Sequence, residues 1–373
     1  KGRCNLTNSA ELSDFISHFG KNGRFLRQIF SQFFSAELLQ LLEQAGIATR
    51  LERGGRFFPA NGKNAVDVVK SLERWVIKNG AVIKTSTTVV TGIITQKGQV
   101  TGLKTSKGHL ECHKVILATG GASYPATGST GDGYLFLEKL GHTIIRLRPA
   151  LVPLITEPKP ALSLKGLNLK NVRARLFIGG KRKAEAFGEL SFTQNGLAGP
   201  IILTMSCQAA DAVFAGKNVK IVIDLKPALT EQQLDNRLIR DLQRRHREKI
   251  ASILRGLMPR ECVNPCLTGT EINPAALGGS ITAKQRKRLG QWLKNQTCQI
   301  TGCEKLERAI VTAGGVKLQE IDPKTMASRL VKGLYITGEL LDLHGDTGGF
   351  NLQAAFSTGW VAGLAAAGAD QPA

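Results

Sequence analysis

Acidic residues are scarce in this chain. Among its 373 residues, 29 Asp and Glu face 50 Lys and Arg, a formal net charge of +21. That imbalance attracts polyanions at long range, whether nucleic acid or an anionic cofactor. Long apolar runs are absent too: nothing reaches the 18 or so residues of a membrane-spanning helix, so membrane insertion by a helix is excluded. The seven cysteines are scattered and odd in number, too sparse for a disulfide scaffold, and a reducing cytoplasm is the expected compartment. Aromatic residues make up only 6%, so stacking on single-stranded bases is not signalled. No GxGxxG occurs anywhere, and the chain opens on KGRCNLTN, a mixture of glycine, cation, thiol and amides.

Glycine, by contrast, is plentiful. Its 41 residues are about 11% of the chain, against roughly 7% in average proteins, and predict many tight turns or close backbone approaches. Residues 11–46 read as helical, with apolar residues three and four apart and a stop at Gly46. DVVKSLERWVIKNG reads as an amphipathic helix ended by Gly80, and the alternating stretch from Ala81 to Gly108 as a β-meander. After Pro149 the pattern changes. Residues 150–227 are strand-like. From 228 the chain reads as helical, with Thr230 and Gln233 as a capping box and a helix running to Pro259. The simplest organisation is an α/β domain built from residues 1–149 and 309–373, split by an inserted domain at 150–308 that is strand-rich to 227 and helical and basic beyond.

Two glycine motifs carry chemistry. In VILATGGASY a buried strand, Val115 to Ala118, runs into Thr119, Gly120 and Gly121. Glycines at the carboxyl end of a parallel strand let backbone approach a ligand, although a plain tight turn reads the same way. In LYITGELLDLHGDTGGFNLQ a strand, Leu334 to Ile336, ends at Thr337, Gly338 and Glu339; Gly348 and Gly349 then precede a helix starting near Asn351. A helix N-terminus presents free N–H groups and a positive dipole end, suited to a phosphate or an electron-rich carbonyl.

These segments, together with GRCNLTN, FFPANGKNAVDVV, SFTQNGLAGP and AIVTAGGV, resemble the bacterial flavoprotein family known by the names YhiN, BaiN and RdsA, with its aminoacetone-oxidase-like branch. The resemblance runs nearly end to end. It implies an α/β fold: a Rossmann-like FAD-binding domain, its sheet flanked by helices and a β-meander, interrupted by a strand-plus-helix insertion. In that family a GRCN-type segment follows a strand–helix–strand unit bearing GxGxxG. The resemblance therefore implies that about fifty residues, the size of such a unit, precede this sequence, and that residues 1–373 alone bind FAD weakly.

Carried over by motif, the resemblance places Arg3, Cys4 and Asn5 near the flavin and Val90 at the adenine. Thr119, Gly120 and Gly121 fall near the pyrophosphate. Gly338, Glu339 and Asp342 fall by the ribityl, and Gly348, Gly349 and Asn351 put a helix end at the flavin's pyrimidine edge. It implies reduction of an activated C=C bond by a hydride derived from NAD(P)H, in a ribosomal RNA uracil or a steroid-like enone, or else oxidation of an amine. Reduction needs a proton donor, for which Cys4, Tyr124 and His344 are the candidates. A non-enzymatic nucleic-acid binder or a degenerate flavoprotein is the third class. Cys262 with Cys266, and Cys298 with Cys303, form two close pairs, but their loose spacing predicts packing rather than zinc. Basic runs at Arg244, Arg245 and Arg247 and at Lys287 and Arg288 predict RNA contact through phosphates, with a solvated helix face or a small-molecule substrate as the alternatives.

Overall fold

The computed structural model describes residues 3–160 and 162–368. They form two compact units, one from residues 1–150 and 310–373, the other from 151–309. Among the described residues no helix is long and apolar enough to cross a membrane.

The first leg of the discontinuous unit runs β1 (Thr7–Asn8), α1 (Leu12–Ser17), α2 (Arg27–Phe30), α3 (Ser35–Gln44), β2 (Thr49–Glu52), β3 (Arg56–Pro59) and α4 (Ala65–Lys78). It continues through β4 (Val89–Gln96), β5 (Gln99–Thr105), β6 (Gly108–Glu111), β7 (Val115–Leu117), α5 (Asp132–Lys139) and β8 (Ile144–Ala150). α4 starts where Asn64 Oδ1 accepts from the Val66 N–H and Asp67 Oδ2 from the Asn64 N–H, both at 2.8 Å. The meander holds β4, β5 and β6; residues 81–88, read as part of it, form no strand.

The second unit runs β9 (Leu154–Thr156), β10 (Asn168–Ile178), β11 (Lys181–Phe192), β12 (Gly196–Ala198), α6 (Pro200–Phe214), β13 (Val219–Asp224), α7 (Glu231–Arg244), α8 (Ile250–Leu254), α9 (Arg260–Gly269), α10 (Ala283–Lys294) and β14 (Gln296–Cys303). Its strands close into a barrel in the order β10, β11, β12, β9, β14, β13. A single cluster of buried side chains joins strands and helices, including Leu176, Leu190, Ile221 and Ile300 from the strands and Leu238, Leu254 and Leu289 from the helices.

Three details differ from the sequence reading. α6 lies inside the segment read as strands: Gly199 at φ +93° and Pro200 start it, and it buries Ile201, Ile202, Met205, Ala209 and Ala210, an apolar run whose period cannot tell strand from buried helix. β14 lies inside the segment read as helical, because Thr297 and Ile300 supply the edge that joins β13 to β9. α7 does open on the Thr230–Gln233 box but ends at Arg244, since its buried series Leu234, Leu238, Leu242 has no successor in RRHREK. Pro259 caps the start of α9 instead of ending a helix.

The chain returns to the first unit with β15 (Val311–Val316), β16 (Leu334–Ile336) and α11 (Phe350–Ala367). β15 pairs antiparallel with β8, and β16 pairs parallel with β7. β7 ends at Leu117, one residue earlier than expected, and is buried at Val115 and Leu117 but not at Ile116, which is 41% exposed.

Candidate functional site

The carboxyl ends of β7 and β16 lie side by side, with the Thr337 N–H donating to Leu117 O at 3.1 Å. Thr119–Gly121 leaves one strand and Gly338–Glu339 the other. The two turns are fastened by Glu339. Its Oε1 accepts from the Thr312 N–H (2.6 Å) and from Ser123 Oγ (2.9 Å). Thr312 Oγ1 in turn accepts from the N–H groups of Ala122 (2.8 Å) and Ser123 (3.1 Å). Gly121 is required here: a Cβ on it would stand 2.5 Å from Thr312 Oγ1 and 2.6 Å from Glu339 Oε1. Tyr134 donates its hydroxyl to Glu339 O (2.8 Å); burial, then the carboxylates of Glu339 and Asp342, push its phenol far up. Thr119 Oγ1 is buried with no hydrogen-bond partner, and Gly133 leaves it room, since a Cβ there would come within 2.2 Å of it.

The second cluster surrounds the start of α11. Gly348 and Gly349 take φ of +150° and +98°, values that favour glycine. A Cβ on Gly349 would stand 2.4 Å from Thr7 O. Oriented by its hydrogen bonds, the Asn5 amide accepts from the Gly349 N–H (3.0 Å) and donates to Thr7 O (3.3 Å). Asn8 Nδ2 donates to Gly348 O (2.9 Å), and Thr7 Oγ1 to Gln353 Oε1 (2.6 Å). β1 is thus sewn to the helix N-terminus. Asn351 closes the loop before it, accepting from the Gly345 N–H (2.7 Å) and donating to Gly345 O (2.9 Å). Asp342 accepts from Asn22 Nδ2 (3.0 Å). His18 stacks on Phe350 with centroids 3.9 Å apart and holds Asp346 Oδ2 at 2.9 Å. Sequence reasoning missed His18 and Asn22; DFISHF and the residues after it offered only helical periodicity.

The structure therefore sets the turn holding Thr119, Gly120 and Gly121 beside Gly338 and Glu339, and bonds Asn5 to Gly349, with Gly348 and Asn351 in the same loop and helix start. The other expected residues stand apart from these contacts. Arg3 pairs with Glu52 (2.5 Å) on the β2–β3 hairpin, over the Phe58 ring. Cys4 packs beside the buried cluster of Leu6, Phe33 and Leu38, and burial pushes its thiol up. Tyr124 is 48% exposed, with φ +51° before Pro125. His344 is half-buried in the loop between β16 and α11. Val90 lies on β4 at a register shift, 56% exposed.

Cys262 and Cys266 are buried on α9, their thiols pushed to about 11 and about 12 first by burial; Cys298 and Cys303, on β14, are each raised to about 11 by burial. Among the described residues no group of three or more His, Cys, Asp or Glu is placed to hold a metal ion.

A family profile, the HI0933-like protein Rossmann domain, matches residues 1–365. The 3-dehydro-bile acid delta(4,6)-reductase of Clostridium scindens is 31% identical over 366 residues, 98% of this chain and 88% of that protein. The ribosomal RNA dihydrouridine synthase of Escherichia coli is 28% identical, covering 96% and 86%. Among solved structures, the open conformation of a flavocytochrome c3 fumarate reductase is similar at 16% identity, covering 98% of this chain and 70% of that one, with a TM-score of 0.48.

Proposed function

Since this chain belongs to the HI0933-like Rossmann-domain family, we propose that it is an FAD-dependent oxidoreductase that saturates a C=C bond conjugated to a carbonyl. The observation that carries the reading is the pair of glycine turns at the ends of β7 and β16, set in one chain with a glycine-capped helix N-terminus. The names of the bile acid reductase and the dihydrouridine synthase share this reaction type.

The residues fit such a cofactor. Thr119 Oγ1 is a buried hydroxyl in want of a partner. The start of α11 offers N–H groups that no helical carbonyl can take, after Gly348 and Gly349, whose positive φ turns the chain into the helix. Thr119, Gly120, Gly121, Gly338, Asp342, Gly348 and Gly349 would hold FAD, with Arg3 and Asn5 close by and the Val90 backbone at the adenine. Glu339 spends its Oε1 on the Thr312 N–H and the Ser123 hydroxyl, and Asn351 its amide on loop backbone; both would act by holding the turns in shape. When bound, the flavin supplies two-electron hydride chemistry, and NADH or NADPH is the proposed donor. The chain itself must orient the carbonyl and deliver a proton to the α-carbon. Cys4, kept protonated by burial, is one candidate for that delivery, beside Tyr124 and His344.

Charge favours RNA as substrate: residues 151–309 carry 26 Lys and Arg against 13 Asp and Glu. The higher identity to the bile acid reductase favours a second reading, a small enone. The test is to titrate the full natural protein, not residues 1–373 alone, with FAD, then reduce it anaerobically with NADH or NADPH. Stoichiometric FAD and bleaching by a nicotinamide are expected; failure to retain FAD overturns the proposal.

A further inference from the structure

The cations of the inserted unit are not equally free to meet a phosphate. Arg245 is locked to Glu248 by two hydrogen bonds (2.9 and 2.6 Å) and donates to Ile253 O and Ser252 O. Arg286 clasps Asp235 (2.7 and 3.3 Å). Arg288 donates to Glu271 (2.5 Å) and to Thr270 O (3.0 Å). Exposed ion pairs are weak and can reopen, but Arg245 and Arg288 are also tied to fixed carbonyls.

A different set gathers at one end of the barrel. The Gly179 N–H donates to Asn218 O (2.9 Å), so the β10–β11 turn lies against the loop that enters β13. In register, Ile178 faces Lys181 and Val219, and Phe177 faces Arg182 and Lys220. Lys181, Arg182, Lys183 and Lys217 are exposed, and Lys220 Nζ lies 5.4 Å from the Phe177 ring centre. Carboxylates also lie nearby: Glu185 is held by Arg173 and Arg182, and Asp211 directly precedes Ala212, whose carbonyl accepts from the Lys217 N–H (3.0 Å). Lys181, Lys183 and Lys217 have no carboxylate partner among the described residues. Positive charge held on the rigid ends of paired strands, unspent within the fold, is suited to track a phosphate backbone.

We propose that this end of the barrel is a phosphate-contacting surface for RNA, with Lys181, Lys183 and Lys217 as its ligands. The inference rests on the RNA reading of the substrate. The contacts position the strand and read no base. The experiment measures binding of a mixed-sequence hairpin RNA across a salt series, using the full protein, its Lys181→Gln/Lys183→Gln/Lys217→Gln variant and the corresponding triple Arg variant. Loss of three contacts should flatten the log–log salt slope by roughly 2–3 and weaken binding at low salt at least ~10-fold, while the Arg variant keeps both. If the Gln variant keeps the parental slope, the surface is not the contact and the RNA reading stands without it. If the parent protein binds no RNA, that reading fails and takes the surface with it. If polyglutamate displaces the RNA at equal charge concentration, the surface is a general anion face and the proposal is overturned.

Discussion

Glu339 offers the sharpest perturbation. Its Oε1 serves two donors, the Thr312 N–H and the Ser123 hydroxyl, on residues that are 0% and 4% exposed. Glu339→Ala removes the acceptor: the Thr312 N–H loses its partner, and the Ser123 hydroxyl keeps only a long bond to Ile310 O (3.4 Å). An orphaned buried group costs about 1–3 kcal/mol, and with the Ser123 bond weakened the substitution should cost about 2–4 kcal/mol. For a unit of this size that is a fall in Tm of roughly 5–15 °C. Glu339→Gln retains an amide oxygen in the same place and loses only the charge, so its cost should stay near ~1 kcal/mol. Urea denaturation followed by circular dichroism reads the difference, and FAD titration reads the site. If Glu339 holds the turns, the Gln variant keeps both stability and flavin while the Ala variant loses both. A Gln variant of full stability with no flavin would refute this reasoning and make Glu339 a direct cofactor ligand.

Gly349→Ala forces a non-glycine residue to φ +98° with its Cβ against Thr7 O; strain and overlap should cost about 2–4 kcal/mol and detach FAD, measurable by denaturation and by flavin retention on gel filtration. Thr119→Val replaces a buried, unpartnered hydroxyl with an isosteric methyl. It should stabilise the flavin-free protein by about 1 kcal/mol and weaken FAD several-fold, read by melting and titration. His142 is buried between Glu320 Oε2 (3.0 Å) and Ser328 Oγ (2.9 Å), and burial outweighs the carboxylate and lowers its pKa. The unfolded chain therefore takes up a proton first, and stability should fall as pH drops below the unfolded histidine value of about 6.5. A His142→Gln variant should lack that part of the pH dependence of Tm.

Much of this architecture is written in local pattern. The β16–glycine–α11 segment was legible because strand, glycines and helix follow one another in a single run, and the capping box at Thr230 marks a helix start within four residues; the matching box at Asn64 was not read. Long-range closure was not legible. β14 reads as a continuation of helical sequence because its strand character comes from β13 and β9, the latter more than 140 residues away. The part played by Glu339 was hidden for the same reason: the resemblance placed it by the ribityl from its motif alone, and its partners, Thr312 and Ser123, reach it from β15 and from the turn after β7. Basic runs were visible, but which cations are already paired depends on acids brought from other helices, as Asp235 is to Arg286.

Saturation of a conjugated C=C bond is the central claim, and single-turnover product analysis tests it most directly. The FAD-loaded protein would be reduced anaerobically by NADPH or NADH, freed of nicotinamide, and mixed in separate reactions with a 3-oxo-Δ4 steroid and with a uridine-containing ribosomal RNA fragment. The account predicts that one of them reoxidises the flavin and yields its saturated product, one molecule per flavin, by mass spectrometry. Flavin that stays reduced with both, yet reoxidises with an imine in exchange for an amine, would contradict it.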